Sequence, residues 1–289
     1  ARAGHEVSVV ERFETPRPIG SGLVIQPVGQ MVLDALGVLG PARAFGRPIR
    51  AMGGIEARSG RPVLAVAYDR PGGPAHGLAI HRASLFQVLW DAAVDAGAEI
   101  VAAAPVAAAE GGRLRLADGR TLGPYDLIVD AAGAASPPSP LRARPLPYGA
   151  LWANVPWPGA TDVPGDELRQ CYRRAERMAG VLPIGTLPGG GPPMAAVFWS
   201  LRLTDHAAWK AAGLEAWRAE ATAFWPQIAP FAGAIRQVGD LTFARYAHGT
   251  LARPIGPGLA RIGDAAHRAS PQLGQGANMA LLDALALAR

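Results

Sequence analysis

The sequence predicts an α/β fold in which a domain built on a parallel sheet is interrupted by a second, strand-rich domain. Strand and helix patterns alternate near both ends of the chain, whereas residues 148–254 carry several strand patterns in succession. A short apolar strand at 259–262 then leads through a Gly-rich loop into a closing helical pattern. The alternation is typical of a parallel sheet with helices, and the strand-rich middle indicates a separate sheet domain.

Hydrophobic periodicity and turn residues predict the individual elements. Helices are predicted at 27–39, 82–97, 205–231 and 279–288. Strands are predicted at 6–11, 53–68 (a pair turned at Ser59-Gly60), 98–131 (with hairpins at Gly111-Gly112 and Asp118-Gly119), 148–155, 180–185, 194–203, 237–246 and 259–262. We expect Gly37 and Gly40 to end the first helix, and the Pro- and Arg-rich segment 137–147 to connect the two domains.

Composition argues against several classes of protein. Hydrophobic residues make up 49% and charged residues 18% of the chain, which is typical of a globular protein. The net charge of +5 comes from dispersed arginines, so we predict small anionic ligands and no nucleic-acid partner. No apolar window of 18 residues predicts a membrane span. A single cysteine, Cys171, indicates a reducing compartment, which we take to be the cytoplasm, and the histidines show no metal-ligand spacing.

Both ends of the chain are predicted to be cut. The sequence begins with Ala1 rather than Met and enters an apolar strand within a few residues. It ends inside an apolar helical pattern that has no stop signal. We therefore interpret the chain as a part of a longer protein.

The segment from Arg261 to Asp283 carries the strongest functional signal. A strand ends at Gly263, and Asp264 follows at the carboxyl edge of the predicted sheet, where open α/β folds bind ligands. The loop from Pro271 to Gly276 has little side-chain bulk and precedes a helix, whose first N–H groups favour a negatively charged group. A plain Gly-rich turn with a helix-capping aspartate is the structural alternative.

This segment resembles the GD motif of the FAD-dependent monooxygenases related to para-hydroxybenzoate hydroxylase and salicylate hydroxylase, the group A flavoprotein hydroxylases. The resemblance implies that the aspartate binds the ribityl chain of FAD and that the loop lies along the flavin ring. It implies no side-chain catalyst, and it places Pro271 and this loop nearest to the reacting atoms. The residues implied in FAD binding are Gly263, Asp264, Pro271, Gly274, Gln275, Gly276 and Asn278.

The start of the chain resembles the second strand of a dinucleotide-binding βαβ unit. Glu11 ends the strand 6–11 and Arg12 follows it, and in such units the acid binds the adenosine ribose. The Gly-rich loop that precedes the acid by roughly 20 residues in such units does not occur in the chain. We therefore expect a fold that lacks its first βα unit, and weak FAD binding by these residues alone.

Two further positions resemble FAD contacts of this family. Gly22 lies in a Gly-rich segment similar to the loop that runs beside the flavin. Arg82 opens a predicted helix three residues before Leu85, as an FAD-contacting arginine does in the family. An arginine is disfavoured by the helix dipole in the first turn, which supports a role for Arg82 in ligand binding.

Residues 126–136 resemble the DG motif of the family, which is implicated in FAD and nicotinamide contacts. Gly133 matches the glycine of the motif. Ala132 and Ala135 stand where the family has an aspartate and often an arginine. The turn is kept and two polar groups are lost, which weakens the prediction of efficient nicotinamide use.

Aromatic side chains in the strand-rich middle are candidates for the substrate pocket. Tyr148, Trp152 and Phe198 are the three that we predict to contact a planar substrate, with burial in the core as the alternative.

The resemblance covers nearly the whole chain. It implies a discontinuous Rossmann-like FAD-binding domain of residues 1–52, 81–145 and 255–289, with an inserted β-sheet substrate domain of residues 53–80 and 146–254. In the implied reaction NAD(P)H reduces FAD, O₂ forms a flavin C4a-hydroperoxide, and a small aromatic substrate is hydroxylated or epoxidised. A related FAD-dependent reductase or halogenase, or a non-catalytic truncated remnant, are the alternatives, although the halogenase signature Trp-x-Trp-x-Ile-Pro is absent.

Overall fold

A computed structural model describes residues 1, 3–15, 20–68, 76–271 and 274–288 of the chain. Its strands are β1 (Ser8–Val10), β2 (Gly22–Ile25), β3 (Arg47–Ile49), β4 (Ala51–Glu56), β5 (Pro62–Ala67), β6 (Gly77–His81), β7 (Glu99–Val101), β8 (Val106–Glu110), β9 (Arg113–Leu116), β10 (Thr121–Leu122), β11 (Ile128–Asp130), β12 (Arg144–Pro156), β13 (Glu167–Arg173), β14 (Arg177–Gly185), β15 (Met194–Arg202), β16 (Thr242–Thr250), β17 (Ile255–Gly256), β18 (Leu259–Arg261) and β19 (His267–Arg268). Its α-helices are α1 (Pro27–Ala35), α2 (Leu39–Phe45), α3 (Arg82–Asp95), α4 (His206–Phe224), α5 (Ala229–Ala234) and α6 (Gly276–Leu287).

Contacts divide the chain into two compact units. The first contains the described residues of 1–18, 86–145 and 247–289, and the second those of 19–85 and 146–246. Residues 20–52, which the sequence analysis assigns to the FAD-binding domain, belong to the second compact unit. The division by ligand, into FAD-binding and substrate-binding residues, stays a prediction.

The first unit contains short parallel sheets. Strand β1 pairs in parallel with β7, and β11 pairs in parallel with β18, which is flanked by antiparallel β17. Strands β8, β9 and β10 form an antiparallel sheet through the two predicted hairpins. Because β11 and β18 run in the same direction, the turns that follow them lie side by side at one edge.

The second unit is built on a large sheet with the strand order β16-β12-β15-β14-β13-β4-β5. Strands β12, β15, β14 and β13 are successively antiparallel, as are β4 and β5, whereas β13 and β4 run parallel. A smaller antiparallel sheet joins β2, β6 and β3.

The two faces of the large sheet have different neighbours. Because side chains alternate along a strand, Leu151 and Trp199 enter the core shared with α4, in which Trp217 and Phe224 are also buried. Trp199 contacts Phe224 edge-on at 5.3 Å between ring centroids. The opposite face carries Phe198, which packs against a second apolar cluster around Ile184. The site residues predicted on these strands lie on this second face.

Two helix predictions differ from the structure: the end at Gly40 and the single helix at 205–231. Gly37 does close α1, and its φ of +69° is a conformation that favours glycine. Gly40 does not end a helix, because it lies within α2. That helix accommodates Pro41 because the first turn has no intrahelical acceptor for the N–H that proline lacks. The helical pattern at 205–231 is two helices, and α4 is interrupted at Gly213, whose φ is +85°.

Within the described part of the chain, no helix combines the length and the hydrophobicity needed to cross a bilayer.

Candidate functional site

The turn after β18 is held by a carboxylate from α6. Gly263 opens a short 3-10 helix, Gly263–Ala265, and has a φ of +56°, which favours glycine. Its backbone N–H donates to Asp283 Oδ2 at 2.9 Å. A Cβ at Gly263 would lie 3.3 Å from the Cβ of Ala280, which fixes a close approach of turn and helix. The side chain of Asp264 is left exposed at this edge.

His267 belongs to the same arrangement. Its Nε2 lies 2.6 Å from Asp283 Oδ2, the oxygen that also accepts from the Gly263 amide. The imidazole is therefore engaged within the turn, which is a framework role rather than the position of an acid or base aimed at a ligand.

The start of α6 brings together the predicted residues of the Gly-rich loop. The Gly274 N–H donates to Pro271 O at 2.9 Å, and Gly274 has a φ of +60°. The buried Asn278 returns a hydrogen bond from Nδ2 to Gly274 O at 2.8 Å. Residues 272 and 273, inside this loop, lie outside the described residues.

This local geometry leaves backbone donors at the helix start. The first i→i−4 bond of α6 runs from Met279 N–H to Gln275 O at 2.8 Å. The earlier N–H groups, including those of Gly276 and Ala277, have no intrahelical acceptor and favour an anionic group together with the helix dipole. No described atom lies within 4 Å of a Cβ added at Gly274 or Gly276, so the described residues do not crowd these two positions.

The turn after β11 lies beside this one, because Asp130 is the register partner of Arg261. Asp130 is 5% exposed, and its carboxylate accepts from the Ala132 N–H at 3.2 Å and from the Ser136 hydroxyl at 2.7 Å. Gly133 follows with a φ of +78° and no described atom within 4 Å of an added Cβ. Asp130 thus holds the turn although Ala132 replaces the aspartate of the motif.

Asp130, Ser136 and Asp283 were not singled out from the sequence as functional residues. The signal for the first two was an Asp followed by small residues, a glycine and a hydroxyl residue, which is typical of a side-chain-stabilised turn. The role of Asp283 depends on a contact with a turn 20 positions earlier in the chain.

Glu11 and Arg12 also lie in the first unit. Glu11 follows β1, and its Oε1 accepts from the Phe13 N–H at 3.1 Å while its backbone pairs with Val101 O. Arg12 is exposed, with its guanidinium 4.6 Å from the centre of the Phe13 ring. Glu11 is half-buried, and its carboxylate stabilises the turn that follows it. Its contact with FAD stays a prediction.

In the second unit, Gly22 and Arg82 lie on neighbouring segments. A Cβ at Gly22 would approach Ile184 Cγ2 to 2.0 Å, so the absence of a side chain lets β2 pack on the large sheet. The Arg82 N–H donates to Ser21 O at 3.1 Å, and its side chain is exposed. Arg82 passes so close to Gly20 that an added Cβ would lie 2.6 Å from its Cδ. The cation is therefore presented beside the Gly20–Gly22 backbone.

The predicted substrate residues lie on strands β12 and β15. Trp152 and Phe198 are register partners and are both half-buried. Tyr148 pairs with Arg202, whose guanidinium lies 5.2 Å from the tyrosine ring centre. Two crevices of about 230 and 300 Å³ in this unit are lined by other described residues, so their shapes identify no substrate site.

Burial disfavours the charged form of two side chains in the second unit. Burial, with a smaller contribution from the charge of Glu56, raises the pKa of Cys171 to about 11. Burial raises the pKa of Tyr246 to about 12. Both side chains are neutral near pH 7. Among the described residues, no three His, Cys, Asp or Glu side chains are grouped as metal ligands.

Comparison with known proteins finds a family match at the C-terminal turn and helix. Residues 254–289 match the family model of an FAD binding domain. This match contains the exposed Asp264, the open loop and the start of α6, whose hydrogen-bond acceptor and donors fit the hydroxyl-bearing and electron-rich parts of FAD. A search of the curated proteins found no match.

Solved structures match over nearly the whole chain. PqsL from Pseudomonas aeruginosa, in complex with 2-aminobenzoylacetate, is 25% identical with a TM-score of 0.82, over 99% of this chain and 79% of that chain. The tetrameric form of 2-methyl-3-hydroxypyridine-5-carboxylic acid oxygenase is 22% identical with a TM-score of 0.81, over 99% of this chain and 76% of that chain. A variant of HpxO from Klebsiella pneumoniae, complexed with FAD, is 20% identical with a TM-score of 0.76, over 97% of this chain and 73% of that chain.

The chain is an FAD-dependent oxidoreductase with the monooxygenase fold. The resemblance to FAD-dependent monooxygenases that the sequence predicts agrees with these matches, and the α/β fold class is confirmed. The contacts of individual residues with FAD and substrate stay predictions. They divide between the units as follows: Glu11, Arg12, Gly133, Gly263, Asp264, Pro271, Gly274, Gln275, Gly276 and Asn278 in the first, and Gly22, Arg82, Tyr148, Trp152 and Phe198 in the second.

Proposed function

We propose that the protein is an NAD(P)H-dependent FAD monooxygenase that hydroxylates or epoxidises a small aromatic substrate. The observation that carries this proposal is the pairing of an exposed carboxylate, Asp264, with the open Gly-rich start of α6 in one sequence segment. Both lie at the carboxyl end of parallel strands, the edge at which α/β sheets bind ligands.

Each group has a role that its chemistry supports. Asp264 accepts hydrogen bonds from ribityl hydroxyls, and the N–H groups at Gly276 and Ala277 stabilise negative charge on the flavin edge. Glu11 binds the adenosine ribose, and Arg82 supplies a positive charge for an anionic part of FAD. When bound, FAD supplies hydride acceptance and oxygen activation.

The substrate class follows from the second face of the large sheet. Trp152 and Phe198 offer flat apolar surfaces of the kind on which a ring stacks. The similar PqsL structure contains 2-aminobenzoylacetate, and the similar oxygenase is named for 2-methyl-3-hydroxypyridine-5-carboxylic acid; both molecules carry an aromatic ring and a carboxyl group. With a net charge of +5 on the chain, an aromatic acid or phenol is the substrate class that we propose.

The single buried cysteine supports a reducing compartment, so a cytoplasmic location is part of the proposal.

The proposal is tested on the purified full-length protein supplied with FAD. Bound flavin absorbance is expected, as is NADH or NADPH oxidation that accelerates when a substrate from a panel of aromatic acids and phenols is added. Hydroxylated product should form in proportion to NAD(P)H consumed, with O₂ present and not without it. Bound FAD with NAD(P)H oxidation and no oxygenated product would indicate a reductase, and no flavin binding would contradict the whole assignment.

A further inference from the structure

A partly buried hydrogen-bond network connects the Gly20–Gly22 segment to the start of α3. His81 is 6% exposed, and its Nδ1 accepts from the Ala83 N–H at 3.0 Å. Its Nε2 lies 3.0 Å from one end of the terminal amide of Asn154. That same end lies 3.2 Å from Gly20 O, and the other end lies 2.6 Å from Ser21 Oγ. All these residues belong to the second unit.

The Ala83 contact fixes the tautomer of His81. A nitrogen that accepts from a backbone N–H carries a lone pair, so a neutral ring must carry its proton on Nε2. Burial lowers the pKa of His81, which keeps the ring neutral near pH 7. Nε2–H is therefore a donor, and it requires an acceptor from Asn154.

The tautomer in turn fixes the amide of Asn154. The two ends of an amide exchange by a rotation of about 180°, and the surrounding donors decide between them. With the amide oxygen facing His81 Nε2–H, the amide nitrogen faces Ser21 Oγ and donates to it. This orientation replaces the hydrogen bond to Gly20 O, the longest of the set, with a 3.2 Å contact between two oxygen acceptors, which is its cost.

The consequence falls on Ser21. Once its oxygen accepts from Asn154, its own proton is free to be donated elsewhere. Ser21 is half-buried, its carbonyl oxygen accepts from the Arg82 N–H, and the exposed Arg82 side chain lies against Gly20. The hydroxyl therefore adds a neutral donor to a segment that also carries a positive charge.

We propose that His81 and Asn154 are positioning residues that make the Ser21 hydroxyl a hydrogen-bond donor to an acceptor atom of FAD. The inference rests on the proposed function, since FAD is the ligand assigned to this segment. It assigns a binding role to Ser21, and it assigns to the other two residues the direction of that hydrogen bond.

The test is a double-mutant cycle on Ser21 and Asn154, read out as the FAD dissociation constant from flavin fluorescence. Ser21→Ala is expected to weaken FAD binding about two- to ten-fold, the range for one neutral hydrogen bond. In Asn154→Asp, the carboxylate accepts from both His81 Nε2–H and the Ser21 hydroxyl, and so captures the proton that Ser21 would donate. Asn154→Asp should therefore raise the FAD dissociation constant less in the Ser21→Ala background than in wild type, and the difference should equal the factor lost in Ser21→Ala alone. The new carboxylate is present in both backgrounds, so its charge cancels from the comparison.

Two further readouts separate positioning from simple support of the fold. Ser21→Thr keeps the hydroxyl and is expected to restore FAD affinity and the visible absorption maximum of bound FAD, whereas Ser21→Ala and Asn154→Asp both shift that maximum. Ser59→Ala, which removes a hydroxyl bound to Glu56 in a distant hairpin, is the control and should change neither.

The outcomes are distinct. Independent, multiplicative effects of the two substitutions would overturn the inference while leaving the FAD assignment intact. Equal FAD affinity of wild type and Ser21→Ala would also overturn it. A wild-type protein that binds no FAD would contradict the proposed function itself. Thermal unfolding of each variant shows whether a lost affinity comes from a lost fold.

Discussion

The turns after β11 and β18 share one plan and use their aspartates in opposite ways. Each is a short 3-10 helix that contains a glycine with positive φ, at the end of one of two paired parallel strands. Asp130 is buried, and its carboxylate accepts hydrogen bonds from Ala132 and Ser136 within its own turn. The second turn is held instead by Asp283 from α6, which leaves Asp264 exposed. An aspartate near such a turn is thus structural when its carboxylate accepts the hydrogen bonds of the turn. It is available to a ligand when another carboxylate accepts them.

The largest effect is expected from Asp130→Ala. The substitution leaves a half-buried hydroxyl and a backbone N–H without their charged acceptor, which costs about 2–3 kcal/mol in free energy of unfolding. Chemical denaturation measures it. Asp264→Ala is the matched control and should stay within about 0.5 kcal/mol of wild type. Equal losses in both variants would show that the two aspartates do not differ in role.

The reverse ranking is expected for FAD binding. Asp264→Ala removes charge-assisted hydrogen bonds to the cofactor and should raise the FAD dissociation constant about ten- to hundred-fold. Asp162→Ala, at another exposed aspartate, should leave the constant unchanged. An unchanged constant in Asp264→Ala would remove this residue from the FAD site.

A smaller effect distinguishes the two glycines. Gly263→Ala forces a side chain into a left-handed conformation and sets its Cβ 3.3 Å from Ala280, so we expect a loss of about 2 kcal/mol in stability. Gly133→Ala imposes the same backbone strain, but no described atom lies within 4 Å of the added Cβ. We therefore expect a stability loss of about 1 kcal/mol. Thermal or chemical denaturation compares them, and a larger loss at Gly133 would contradict the contact argument.

The smallest effect is expected from Asp283→Asn. The amide oxygen still accepts from the Gly263 N–H, but the charge beside His267 is lost, which costs about 1 kcal/mol for a partly exposed pair. In the variant His267→Gln the same substitution should cost less, because the imidazole partner is already absent. A full, unreduced cost in that background would show that His267 and Asp283 are not coupled.

Much of the fold follows from local signals in the sequence. The hairpins at Gly111-Gly112 and Asp118-Gly119 and the helix α3 are confirmed, since glycine turns and helical periodicity act over few residues. Strand β6 was not predicted, because all five of its residues are buried and a buried strand shows no alternation. Strand β13 was missed because it buries polar residues, Glu167 and Gln170, among its apolar ones.

The candidate site also contains residues that local sequence signals predict and residues that they do not. The loop from Pro271 to Gly276 was recognisable because its residues are contiguous and their order is specific. Asn154 could not be found from the sequence, since its partner Ser21 lies 133 residues away and an asparagine in a strand carries no signal of its own. Long-range polar contacts of this kind are determined by the fold and not by local pattern.

The single oxygen of Asp283 that serves both the Gly263 amide and the His267 ring limits how this enzyme can be redesigned. A library that randomises residues 271–276 changes the segment that joins these two anchored residues to the helix with their shared oxygen. Such a library should hold Asp283 constant, and a loop transplanted from a relative should be moved together with the helix that carries its carboxylate.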